Sequence, residues 1–182
     1  MPATPRQNVE DPDYRRARRI LDVLEERGRV MFEFERYARE GFARDPDRSR
    51  RGLLQALDLR PRGWKNACRH LAYLGTDSGG LVTPALRRLL NSDEDRMVRA
   101  HAGEALGNLG DKTSAPKLLD LARELDSQRD STLLELVAPA LLSLKPEGLV
   151  DFLVTRLRAR PLPESGGGLG ALATILGLLD PG

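Results

Sequence analysis

The chain has 182 residues, 40% of them apolar and only 4% aromatic, with 29 basic side chains against 27 acidic ones. That size gives one domain or one piece of a longer array, with a core of Leu, Ala and Val. No apolar run is long enough for a membrane-spanning helix, and Cys68 stands alone, which excludes an internal disulfide. The opening stretch MPATPRQNVEDPDYRR has no apolar segment and does not read as a secretory signal, so a cytoplasmic location is expected. Of the basic residues 25 are Arg and 4 are Lys, a bias that reports a GC-rich genome rather than a function. Residues 1–75 carry 17 basic and 12 acidic side chains, a net of +5, and residues 76–182 carry 12 and 15, a net of −3. The basic excess is interleaved with acid, unlike a dedicated nucleic-acid arm.

In chain order, Asp11-Pro12 opens a helix through RRARRILDVLEER, which ends at Gly28. A second helix runs from Val30 through MFEFERYAREGF to about Phe42. A third, SRRGLLQALDL, stops before Pro61. Tyr14, Phe32, Phe34, Tyr37 and Phe42 are five of the eight aromatic residues of the chain. A terminal segment of this kind, outside any repeat, suits the covering of the first apolar face of a repeat array.

From residue 61 onward the chain repeats at 35 residues. One column holds Leu74, Leu109, Leu144 and Leu179; a second holds Leu71, Leu106, Leu141 and Leu176; a third holds Ala67, Ala102, Val137 and Leu172. The best-formed unit, DRMVRAHAGEALGNLGDKTSAPKLLDLARELD, contains two amphipathic helices. The first has a stripe of Val98, Ala102, Ala105, Leu106 and Leu109, and the second one of Ala115, Leu118, Leu119, Ala122 and Leu125. Asp93 or Asp95 caps the first helix, Gly110 fits the left-handed position past its end, and Thr113 or Ser114 caps the second. Gly103 and Gly107 stand one turn apart inside the first helix. Each costs about 1 kcal/mol there relative to Ala, which is tolerable where a neighbouring helix packs too close for a side chain. The stretch from Arg160-Pro161-Leu162-Pro163 to Ser165–Gly168 reads as a loop or linker.

These residues resemble a HEAT repeat of the short bacterial kind also found in phycobilin lyase subunits. The pattern reads Asp95, Val98-Arg99, Ala102, Ala105-Leu106-Gly107, Leu109-Gly110-Asp111 and then Leu118-Leu119. The preceding unit keeps Ala67, Leu71, Leu74-Gly75 and Leu89-Leu90. The following one keeps Ala140-Leu141 and Leu144 but has Lys145 where Gly110 stands, and GLGALATILGLLDPG supplies one further helix. The resemblance implies an all-α fold: a right-handed α-solenoid of about three and a half HEAT-like helix pairs over residues 61–182, behind a non-repeat helical cap at 1–60.

No catalytic motif is found. Gly166-Gly167-Gly168 lacks the Lys-Ser/Thr of a phosphate loop, and His70, His101 and Cys68 have no metal-ligand spacing, so neither a metal nor a cofactor is expected. His70 shares a column with Ala105 and Ala140, which suggests a slot at a repeat junction that a structural His fills. Cys68 reads as a small buried hydrophobe. Three functions compete. The favoured one is a non-catalytic scaffold that binds a protein partner on the concave wall made by the second helix of each unit. Charged positions off the Leu stripe there are Arg87, Arg88, Asp120, Arg123, Glu124 and Arg156, and their mixed signs suit a protein surface. Reversing Arg87, Arg123 and Arg156 is expected to abolish partner capture with the fold intact. The second reading, carried by the resemblance alone, is a subunit of a lyase or other modifying enzyme. The third is a nucleic-acid binder using Trp64 among Arg60, Arg62, Lys65 and Arg69; nucleic acid is not the expected partner, because carboxylates dilute the positive charge.

Overall fold

The computed structural model describes residues 11–26, 31–60, 63–75, 80–92, 95–125 and 129–158. Among them the backbone forms α-helices, one 3-10 turn and no strand. The helices are α1 (Pro12–Glu26), α2 (Met31–Ala43), α3 (Pro46–Leu59), α4 (Lys65–Leu74), α5 (Val82–Leu90), α6 (Arg96–Asn108), α7 (Ala115–Glu124), α8 (Ser131–Leu144) and α9 (Leu149–Arg158). The all-α expectation therefore holds. The expected linker at 165–168 and the helix after it lie outside the described residues. So do Asp93, Gly28 and the last member of each 35-residue column.

The chain divides into two compact units, Met1–Ala85 and Leu86–Gly182. In the first, α1 lies along α3, and α3 along α4, with α2 against all three. Tyr14, Ala17 and Leu21 of α1, Phe42 of α2, Leu53 and Ala56 of α3 and Leu71 of α4 are buried together with Cys68, as a small hydrophobe should be. Asp11 starts α1 by accepting the backbone N–H groups of Asp13 (2.8 Å) and Tyr14 (3.2 Å). Asp45 and Pro46 start α3 in the same way, with the Asp45 carboxylate accepting from the Arg48 N–H at 3.2 Å. The third helix thus begins three residues before the Ser49 that the sequence reading used. Ser49 lies within the helix instead, buried, its hydroxyl donating to the Phe42 carbonyl at 2.9 Å. Asp-Pro is the start signal both times.

In the second unit the first helices of consecutive repeats, α6 and α8, pack along each other, and α7 closes against both. Two of the three repeat columns are buried in every described repeat, and in the third Leu144 is buried while Leu74 and Leu109 are half-buried. Leu71, Leu106 and Leu141 are buried, as are Ala67, Ala102 and Val137. Asp95 caps α6, its carboxylate accepting the Met97 N–H at 3.0 Å. At the other end the Asp111 N–H bonds the Leu106 carbonyl and the Gly110 N–H bonds the Gly107 carbonyl, each at 3.0 Å. That pair of bonds closes the helix with Gly110 in the left-handed region at φ 70°. The same column position has a positive φ in each described repeat, 73° at Gly75 and 48° at Lys145, but ψ differs, −172° at Gly75 against 60° at Lys145. The positive φ recurs with the repeat, and Lys145 adopts the left-handed form without the freedom of glycine.

The two interior glycines lie where the helices pack closest. A Cβ on Gly107 would stand 2.2 Å from the Ala140 Cβ and 2.6 Å from its Cα, which is the backbone of α8. A Cβ on Gly103 would stand 2.4 Å from Cδ1 of Leu118. Both are buried, so the close-approach reading of this pair is correct, with backbone against Gly107 and a side-chain tip against Gly103. The column of Ala105 and Ala140 places His70 in α4, where the ring is buried with its centroid 4.9 Å from that of Phe42. Phe42 belongs to the non-repeat α2. A ring therefore replaces the Ala of later repeats where this segment supplies the facing wall.

Candidate interaction surface

The six charged positions proposed for the concave wall all lie in the second unit, but they do unlike things. Arg87 of α5 makes a two-pronged ion pair with Asp111, Nε to Oδ2 at 2.8 Å and Nη2 to Oδ1 at 2.5 Å. Asp111 also accepts from Thr113 (2.8 Å) and Ser114 (2.5 Å). These hydroxyls were expected to cap α7. They instead bind the Asp111 carboxylate from the 3-10 turn Lys112–Ser114 that leads into α7, and Ser114 makes no side-chain cap bond. The hydrogen bonds from Arg87, opposed by burial and helped by the two hydroxyls, hold the Asp111 carboxyl well below the usual carboxylate range. The same contact raises the Arg87 pKa. Asp111 is thus the fastener between a second helix and the turn of the next repeat, a role the sequence reading did not assign to it.

Glu124 accepts both prongs of Arg99, at 2.7 and 3.1 Å, tying α7 to α6. That contact lowers the Glu124 pKa. Arg156 of α9 points one nitrogen at the end of α7, donating to the carbonyls of Ala122 and Arg123 at 3.1 Å and of Leu125 at 2.5 Å. A guanidinium there satisfies carbonyls that a helix end leaves open and meets the negative end of the helix dipole. Its carbon also lies 5.4 Å from the centroid of the Phe152 ring. With these contacts, reversal of Arg87 or Arg156 is expected to cost stability, where the sequence alone suggested an indifferent fold. Asp120 and Arg123 form an i,i+3 pair at 3.2 Å with both side chains about half exposed. Arg88 is exposed on α5.

Between α7 and α9 lies a groove of about 530 Å³, lined by Arg123, Asp151, Phe152, Thr155 and Arg156. Phe152 is buried beneath it, while Asp151 and Thr155 are exposed and Val150 is 54% exposed beside them. The groove joins two of the six proposed residues and adds three that sequence reading missed. A helical wheel of LVDFLVTRLR shows the signal, because Asp151 and Thr155 are four residues apart on one face.

In the first unit Trp64 is half-buried, with the Arg60 guanidinium carbon 5.4 Å from its ring centroid. Arg60 stands at the end of α3 with φ 50°. The aromatic face proposed for a base therefore already carries a cation of the same chain. Lys65 and Arg69 are half-buried on α4, and Arg62 lies outside the described residues. His101 of α6 faces Glu104 at 3.6 Å and is half-buried, an ordinary helix-surface position. Among the described residues no three His, Cys, Asp or Glu side chains lie together as a metal ion would require. Nor is any described helix long and apolar enough to cross a membrane.

An all-α chain with a 35-residue apolar register, whose first helices α6 and α8 pack on each other and each end at a residue of positive φ, is a helix-pair repeat protein. Residues 50–138 match the family described as HEAT repeats, and that segment is a HEAT-repeat array. The match begins inside α3 and runs into α8. Among curated proteins, a deoxyhypusine hydroxylase of Saccharomyces cerevisiae is 32% identical over 127 residues, which are 65% of this chain and 39% of the hydroxylase. The chain thus spans about two fifths of the length of that relative. No solved structure matches the chain significantly.

Proposed function

We propose that this protein is a non-catalytic interaction scaffold that holds a protein partner in the groove between α7 and α9. The observation that carries the reading is the construction of that groove. Arg156 is fixed by three carbonyls at the end of α7, and Phe152 forms an apolar floor. Arg123, Asp151 and Thr155 remain at the rim in mixed sign. A rigid wall with an apolar floor and a polar rim is the usual anatomy of a protein interface. Opposite charges a few residues apart favour a partner with complementary charges over a uniformly negative phosphate chain. Arg88, Asp120 and Glu124 extend the same face in this reading, with Arg87 as its structural support. A cytoplasmic location belongs to the proposal, as does the division into a helical cap at 1–60 and a repeat array at 61–182.

The similarity to a hydroxylase favours one alternative, a subunit of a modifying enzyme that presents its protein substrate on these repeats. Similarity over 39% of the hydroxylase does not by itself carry its chemistry to this chain. The two readings separate in one experiment. Affinity capture from the native cell with the wild type, and with Arg123→Glu/Asp151→Arg, should recover a partner with the first and lose it with the second, at equal melting midpoints. Covalent modification of the captured protein by the chain would sink the non-catalytic reading. Capture indifferent to the double reversal would remove the groove from it.

A further inference from the structure

A second groove, of about 500 Å³, runs between α1 and α2 in the first unit, lined by Arg15, Arg16, Arg19, Ile20, Tyr37 and Arg44 together with Pro12 and Gly41. Its floor is fixed. Arg16 donates from α1 to the Gly41 carbonyl of α2 at 2.9 Å, and a Cβ on Gly41 would touch Ile20 Cδ1 at 3.4 Å. Arg15, Arg19 and Arg44 are exposed at its sides, and Tyr37 is 59% exposed. Among the described residues no carboxylate lines this groove, and none pairs with Arg15, Arg19 or Arg44.

Among the described residues the acids beside this groove are committed elsewhere, with Asp11 capping α1. Asp13 is held by Arg48 and by Arg51, Asp22 pairs with Arg18 at 3.6 Å, and Glu40 pairs with Arg36 at 3.6 Å. The interleaving of charge in the sequence is therefore undone in space: acids neutralise the flanks and leave four guanidinium groups in one cleft. Arg15 and Arg19 are like charges four residues apart on a helix, an arrangement that works against the helix. Nothing among the described residues of the protein relieves it.

We propose that this groove is a docking site for a short acidic peptide segment of a partner protein, with carboxylates held by Arg15, Arg19 and Arg44 and an apolar side chain placed against Ile20 and Tyr37. Guanidinium forks match carboxylates in pairs, and hydrogen bonds between opposite charges are the strong ones. A single cleft of this size takes a few residues of peptide. The neutral Arg18–Asp22 and Arg36–Glu40 pairs on α1 and α2 give an extended phosphate backbone no cationic track beyond the cleft. The proposal stands independently of the α7–α9 groove.

The test uses the full chain and three fluorescent probes: a short peptide alternating Glu and Leu, the same peptide with Gln for Glu, and a single-stranded oligonucleotide of equal length. Saturable binding of the acidic peptide is expected, weakened by salt, with the Gln peptide binding at least about tenfold more weakly, the worth of one charge-assisted hydrogen bond. Arg15→Gln/Arg19→Gln should lose acidic-peptide binding by a similar factor, while its melting midpoint stays level or rises because the repulsion is gone. Arg123→Glu should bind the peptide like the wild type. Equal affinity for the Gln peptide, unchanged binding by the double variant, no saturable binding at all, or tighter binding of the oligonucleotide would each overturn the proposal.

Discussion

Asp111 concentrates four partners on one carboxylate: two nitrogens of Arg87, the Thr113 hydroxyl and the buried Ser114 hydroxyl. Its pKa is depressed in the folded state, chiefly by the Arg87 hydrogen bonds. The stability it contributes is therefore fully present above the unfolded carboxylate value of about 4 and is lost as pH falls through the lower folded value. Asp111→Asn should cost roughly 2 kcal/mol at neutral pH, since hydrogen bonds to charged groups are at stake. Urea midpoints of the two proteins should converge in acid. A gap that persists or widens at low pH would show that the carboxylate charge is not what matters. Gly103 and Gly107 make a second pair of tests. Gly107→Ala drives a methyl into the backbone of α8, whereas Gly103→Ala meets only the end of the Leu118 side chain. Overpacking of 1–3 kcal/mol exceeds the gain in helix propensity of about 1 kcal/mol in the first case. In the second the two effects roughly cancel. Thermal melts should show Gly107→Ala clearly lowered and Gly103→Ala near the wild type.

At the scale of elements, the turn after each first helix decides where the next helix points. Gly75, Gly110 and Lys145 all take a positive φ at 35-residue intervals, although ψ is −172° at Gly75 and 60° at Lys145. Lysine there is strained by about 1–2 kcal/mol, and glycine gives back about 0.4–1 kcal/mol through the freedom of the unfolded chain. Lys145→Gly should thus raise stability by about 0.5–1 kcal/mol. No gain in the denaturation midpoint would mean that the exposed Lys145 makes up the strain through contacts of its own. The columns of Leu and Ala were legible because burial recurs at the helical period, and each repeat restates it. The start of α3 was overlooked although Asp45-Pro46 copies Asp11-Pro12. The helix was begun at Ser49, and only the fold shows that its hydroxyl meets the Phe42 carbonyl inside a helix. The roles of Thr113 and Ser114 were inverted for a similar reason. A hydroxyl near a helix start can accept from the backbone or donate to an acid, and Asp111, three residues before Ser114, turns it into a donor.

At the scale of the whole molecule, the helical repeat was legible in the sequence, whereas most of the lining of the α7–α9 groove was not. Charged residues on second helices could be picked out by spacing, but spacing does not tell a free charge from a fastener. Arg87, Glu124 and Arg156 are held by Asp111, Arg99 and the end of α7, contacts that reach 24, 25 and up to 34 residues along the chain. Net charge misled in the same manner in the first unit, where among the described residues pairing leaves no carboxylate lining one arginine-rich cleft. What remains accessible is a groove over Phe152 rimmed by Arg123, Asp151 and Thr155. The direct measurement of its role is hydrogen–deuterium exchange of the full chain with and without its captured partner. Partner binding should slow exchange in α7 and α9, around Arg123 and Thr155, with α1 to α3 unchanged unless the partner also carries an acidic segment. Protection absent from α7 and α9, with the partner demonstrably bound, would contradict the scaffold site.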